Sequence, residues 1–143
     1  LLRDELIELS GPDGQAIRLV GLDCHHNDLA GDVRTLDTLP VDDTGNGPLI
    51  LLYHSPELMP PAVERGIDLY LCGHTHGGQV RLPLVGPVVT SSKLGRRYVM
   101  GHYHEGRTNL YVSRGVGFEG MGAPRVRFLC PPEITLITLE PDR

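Results

Sequence analysis

Two short, unbroken apolar stretches joined by a helix-sized segment constrain this chain more than any other feature. Residues 49–53 (Leu-Ile-Leu-Leu-Tyr) have strand length without the alternation of a half-exposed strand, so coverage on both faces is expected. Residues 67–72 (Ile-Asp-Leu-Tyr-Leu-Cys) read as a second buried strand. Between them Ser55 is placed to cap a helix over residues 57–65, Pro56 fits its first turn and Gly66 stops it. Strand, helix and strand at this spacing form a β-α-β unit with parallel strands and a right-handed crossover. The expected fold class is therefore α/β, with a mixed sheet around one such unit.

The remaining chain supplies scaffold. Residues 6–9 and 16–21 flank Ser10-Gly11-Pro12-Asp13-Gly14, whose turn residues predict a β-hairpin. Over residues 28–39, Leu29, Val33, Leu36 and Leu39 share one helical face, and Pro40 ends it. Residues 41–48 read as loop, as does most of 78–96, while 98–103, 110–113 and 134–139 read as later strands.

Both strands of the β-α-β unit end in histidine: His54 after the first, Gly73-His74-Thr75-His76 after the second. Ligands of parallel sheets gather beyond the carboxyl ends of the strands. The crossover makes these two strands potential neighbours, so His54, His74 and His76 form a candidate metal site of imidazole donors. Gly73, Gly77 and Gly78 frame the pair and permit close backbone approach. Spacing alone does not decide, because a histidine at a strand end is often only hydrogen-bonded and a second His-x-His stands at His102-Tyr103-His104.

Composition narrows the alternatives. With 143 residues, 40% of them hydrophobic, the chain is one domain or a part of one, and a net charge of -5 argues against general nucleic-acid binding. No apolar run is long enough to span a bilayer. Cys24, Cys72 and Cys130 lack Cys-x-x-Cys spacing, which suggests neither a disulfide framework nor a zinc ribbon. Arg81, Arg96, Arg97 and Arg114 flank the histidine motif and could pair with a phosphate oxygen, with ordinary surface charge as the alternative. Ser91, Ser92, Tyr98 and His102 could line a substrate pocket or stand in solvated loop.

The string LLYHSP at residues 51–56, followed by DLYLCGHTHGGQVRLP at residues 68–83, resembles the last two motifs of the calcineurin-like metallophosphoesterase superfamily. SRGVG at residues 113–117 and RFLCPPEITLITL at residues 127–139 resemble its bacterial branch that includes membrane-associated phosphodiesterases. The resemblance implies half of a two-sheet sandwich flanked by helices, the C-terminal part of a single domain over residues 1–143. It implies two divalent ions, Mn, Fe or Zn, with His54 and His74 on one and His76 on the other. It further implies a phosphomonoester or phosphodiester substrate. The remaining ligands, a bridging carboxylate among them, and the leaving-group acid would belong to an N-terminal half, leaving these residues inactive alone.

Asp23-Cys24-His25, Gly31-Asp32 and Gly45-Asn46 are not read as compressed forms of those motifs, because six residues between His25 and Asp32 cannot hold a parallel crossover. His25, His26 and Asp28 are instead expected as polar loop residues near the site mouth. A non-catalytic scaffold on the same fold is the alternative function. Uncovered sheet faces would favour self-association, and location would be cytoplasmic or membrane-associated through an upstream segment.

Overall fold

The turn chemistry near the start produces the expected hairpin: β1 (Glu5–Ser10) pairs antiparallel with β2 (Ala16–Gly21), Leu6 opposite Val20. Gly14, at φ 79°, closes the turn by donating its N–H to the Gly11 carbonyl (3.1 Å). The computed structural model describes residues 1–12, 14–25, 27–41, 47–118 and 125–140. Gly45, Asn46 and His26 lie outside the described residues, as does most of the expected loop over 41–48.

Helix α1 (Leu29–Thr38) begins where Asp28 accepts the Gly31 N–H, at 2.8 Å, and buries Leu36. The chain then enters β3 (Leu49–Leu52). The helix expected over residues 57–65 divides into a 3-10 turn, Pro56–Leu58, and α2 (Met59–Glu64). Pro60 and Pro61 are the cause. In a helix begun at Pro56 they would stand in the interior without N–H donors, whereas restarting at Met59 puts them in the first turn, where those donors are not needed.

Strands β4 (Leu69–Cys72), β7 (Gly101–Glu105) and β8 (Thr108–Val112) complete a sheet of order β1-β2-β3-β4-β8-β7. The four inner strands run parallel and the two edge strands antiparallel. Between them, β5 (Arg81–Leu82) and β6 (Gly86–Pro87) form a small ribbon within the predicted loop. The result is an α/β fold with one mixed six-stranded sheet and few helices, the form expected of part of a calcineurin-like domain.

The core lies on one face of this sheet. Val20, Leu51, Tyr70 and Leu110 stand side by side in register, each fully buried, beneath Leu36, Leu58, Met59 and Ala62. On the opposite face Leu19, Leu69, Leu71 and Tyr111 are only half-buried. Residues 133–140 pass over that face and enclose a cavity of about 820 Å³ lined by Ile17, Ile50, Leu69, Tyr111, Ile137 and Leu139.

Two strand expectations are corrected. Residues 134–139 form no strand, and Ile134 and Leu136 stay more than nine-tenths exposed, because β1 and β7 occupy the sheet edges and this segment crosses the face instead. The strand expected from Tyr98 starts at Gly101, since the Tyr103 hydroxyl accepts the Val99 and Met100 N–H groups that a ladder would have used.

Candidate metal centre

Pairing between β3 and β4 runs on past their ends. The Tyr53 N–H reaches the Leu71 carbonyl (3.3 Å) and the Gly73 N–H the His54 carbonyl (3.0 Å), which carries His54 and His74 side by side beyond the carboxyl edge. Their rings meet edge-on at 4.8 Å, with His74 Nδ1 3.0 Å from His54 Nε2. His74 Nε2 lies 3.1 Å from the Ser91 carbonyl. A carbonyl only accepts, so this nitrogen carries the proton and Nδ1 keeps its lone pair turned towards His54.

This donor set fits a divalent ion. Two imidazole nitrogens each about 2.0–2.1 Å from one ion lie roughly 3 Å apart, and His54 Nε2 and His74 Nδ1 have that separation. Imidazole donors of this kind suit zinc and iron.

His74 (φ 68°), His76 (φ 49°) and Gln79 (φ 49°) all have left-handed backbone, a concentration of strain that needs outside support. Buried Thr75 provides part of it, donating its hydroxyl to the Val99 carbonyl at 2.6 Å. Gly77 is required by close approach: a Cβ there would stand 2.5 Å from Cys130 Sγ and 2.9 Å from Arg114 Cγ.

His76 is held separately. Its Nδ1 is 3.2 Å from the Arg127 guanidinium, which also donates to the Arg114 and Gly117 carbonyls, each at 2.7 Å, and stacks over Phe118. Among the described residues no three or more His, Cys, Asp or Glu side chains gather closely enough to hold a metal ion. The structure thus brings His54 and His74 together and gives His76 a different partner.

The four arginines divide two and two. Arg81 donates to the Gly77 carbonyl (2.9 Å) and Arg114 pairs with Glu133, both beside the His76 loop. Arg96 is exposed and bound to the Val85 carbonyl, and Arg97 is paired with Glu105 (2.6 Å). His102 and His104 both hydrogen-bond Asn109 Oδ1, at 3.0 and 3.2 Å. By register His102 stands opposite Tyr111 and His104 opposite Asn109, and His102 lines the half-buried face of the sheet with Leu69 and Tyr111.

Spacing did not flag Arg127, whose one signal is its alternation with Arg125 around Val126 in the stretch that returns to the motif. Nor did it flag Tyr53, Glu57 and Lys93, which with Ser55 and the already singled-out His74 and Ser91 line a small cavity of about 60 Å³ that Cys24 and His25 also border. His25 thus lines the same recess as His74. Its ring meets Asp32, which lies in α1 rather than at a strand end, so the short Asp-x-His and Gly-Asp strings are not successive strand termini. The Asp32 carboxylate holds the His25 imidazole above its usual range. Burial pushes the Cys72 thiol far up and leaves it a protonated core group.

Curated relatives match this chain. YkuE of Bacillus subtilis, an uncharacterized metallophosphoesterase, is 43% identical over 91 residues, which are 64% of this chain and 30% of that protein. Phosphodiesterase YaeI of Escherichia coli is 38% identical over 100 residues, 70% of this chain and 35% of its own. Cj0846 of Campylobacter jejuni, another uncharacterized metallophosphoesterase, is 38% identical over 106 residues, 73% of this chain and 26% of its own. The chain spans about a third or less of the length of these curated relatives. No family model and no solved structure matches it. Shared identity with metallophosphoesterases over roughly two thirds of its residues, on a mixed α/β sheet, places the chain in the calcineurin-like metallophosphoesterase superfamily.

Proposed function

We propose that this chain supplies one wall of a two-metal site that hydrolyses phosphate monoesters or diesters. The observation that supports it is the 3.0 Å approach of His54 Nε2 to His74 Nδ1 at the carboxyl edge of adjoining parallel strands. In this reading His54 and His74 hold one divalent ion, Mn, Fe or Zn, and His76 a second. The ions supply an activated water and charge stabilisation for an in-line displacement.

The chain's own residues do the positioning. Ser91 fixes the His74 tautomer, Thr75 holds the loop, and Arg127 sets the His76 ring. Arg81 and Arg114 lie beside that loop, where a guanidinium meets a phosphoryl oxygen. The bridging carboxylate and the leaving-group acid come from residues outside this chain, which on its own is inactive. The names of the relatives, one a phosphodiesterase, support an ester-cleaving role.

Calorimetric titration with Mn²⁺ and Zn²⁺ tests the reading. His54→Ala and His74→Ala should each weaken binding by about tenfold or more, since each removes a ligand. Metal affinity indifferent to both substitutions would sink it. A longer protein that contains this chain should cleave a chromogenic phosphodiester and lose that activity in His74→Ala.

A further inference from the structure

His25 stands between two recesses. On one side it lines the small cavity with Tyr53, Ser55 and His74. On the other it lines a shallow cleft of about 370 Å³ along α1, with Asp28, Arg34, Thr35 and Thr38. Among the described residues it alone lines both walls.

Its ring is also held. Asp32, only 1% exposed, accepts the His25 backbone N–H at 3.0 Å, the Tyr53 hydroxyl at 2.5 Å and His25 Nδ1 at 2.8 Å. A carboxylate removed from water needs donors and a counter-charge, and the His25 ring is its ion-pair partner. Nδ1 therefore carries its proton towards Asp32 and Nε2 is directed away, on a side chain 61% exposed. Of the other charged groups nearby, Asp4 and Asp23 are the carboxylates that act on this ring, Arg34 lines the cleft and Lys93 the small cavity.

We propose that His25, oriented by Asp32, is a substrate-binding residue: its Nε2–H meets a phosphoryl oxygen at the metal centre, and the cleft along α1 receives the alcohol portion of the ester. The inference rests on the phosphoesterase reading and deepens it, assigning the substrate's two ends to two recesses. A spare polar loop would leave Asp32 solvated; here the carboxylate is buried beneath the ring, the arrangement by which a histidine is held in one orientation and tautomer.

The test is binding of inorganic phosphate to the metal-free 143-residue chain, followed through the His25 ring resonances and by calorimetry. His25→Gln should weaken phosphate about tenfold, the loss of one charge-assisted hydrogen bond, while Zn²⁺ affinity stays within about twofold. His25→Lys, which keeps a cation at the mouth, should recover most of the affinity. Asp32→Asn should lower the pH above which phosphate is released, a shift that a merely structural Asp32 would not produce. Phosphate affinity unchanged in His25→Gln overturns the proposal. His25-dependent phosphate binding in a chain that takes no metal at His54 and His74 would instead overturn the metal-centre reading and leave this contact standing.

Discussion

At His74 and His76 the backbone lies in a region that non-glycine residues rarely enter, and the neighbouring Gly77 (φ 66°) is packed against Cys130 and Arg114. Gly77→Ala adds the left-handed penalty to a steric one, so a loss of about 2–4 kcal/mol is expected in urea denaturation. A midpoint equal to that of the native chain would show that the loop relaxes without cost. The His25–Asp32 pair makes a prediction in pH. Because the folded imidazole titrates above its unfolded value, the pair's contribution to stability is fully present below about pH 6.5 and is lost as pH rises through the raised folded value. Stability compared at about pH 5.5 and about pH 8.5 should therefore respond less to pH in Asp32→Asn than in the native chain. An identical pH response in the two would contradict the pairing.

The loop from Gly73 to Gln79 holds its strained shape because Thr75 ties it to the segment before β7. Thr75→Val keeps the shape of the side chain and removes the donor, leaving a buried Val99 carbonyl without this bond, at a cost of about 1–3 kcal/mol. Thr75→Ser should restore most of it, and metal affinity should follow the same order. If Val and Ser variants bind Zn²⁺ equally well, the loop is supported elsewhere. The divided helix before β4 shows the same principle in scaffold form: two prolines set where a helix can restart, and the 3-10 turn before them buries Leu58 in the core.

For the molecule as a whole, the uneven burial of the sheet's two faces has the largest consequence. One face is sealed by α1 and α2, while the other presents Leu19, Leu69, Leu71 and Tyr111 half-buried beneath a crossing segment whose Ile134 and Leu136 are exposed. Apolar surface of this kind drives association, so the isolated chain is expected to elute above monomer size in size-exclusion chromatography with light scattering. Leu71→Lys, on the half-buried face, should shift it towards monomer. A monodisperse monomer at every concentration tested would refute this. No helix among the described residues is long and apolar enough to cross a membrane.

The amino-acid sequence by itself determined the hairpin, the β-α-β unit and the histidines at its strand ends, because apolar runs, prolines and glycines act over a few residues and a crossover brings successive strands together. His54 and His74 are twenty residues apart, yet that local logic is enough to make them neighbours. Tertiary structure alone decided that Asp32 would reach His25 and Tyr53, that Arg127 would take hold of His76 across 51 residues, and that residues 134–139 would cross a sheet face instead of extending its edge. Those outcomes depend on which edges and faces other elements have already occupied, a property of the packed whole that no local pattern carries.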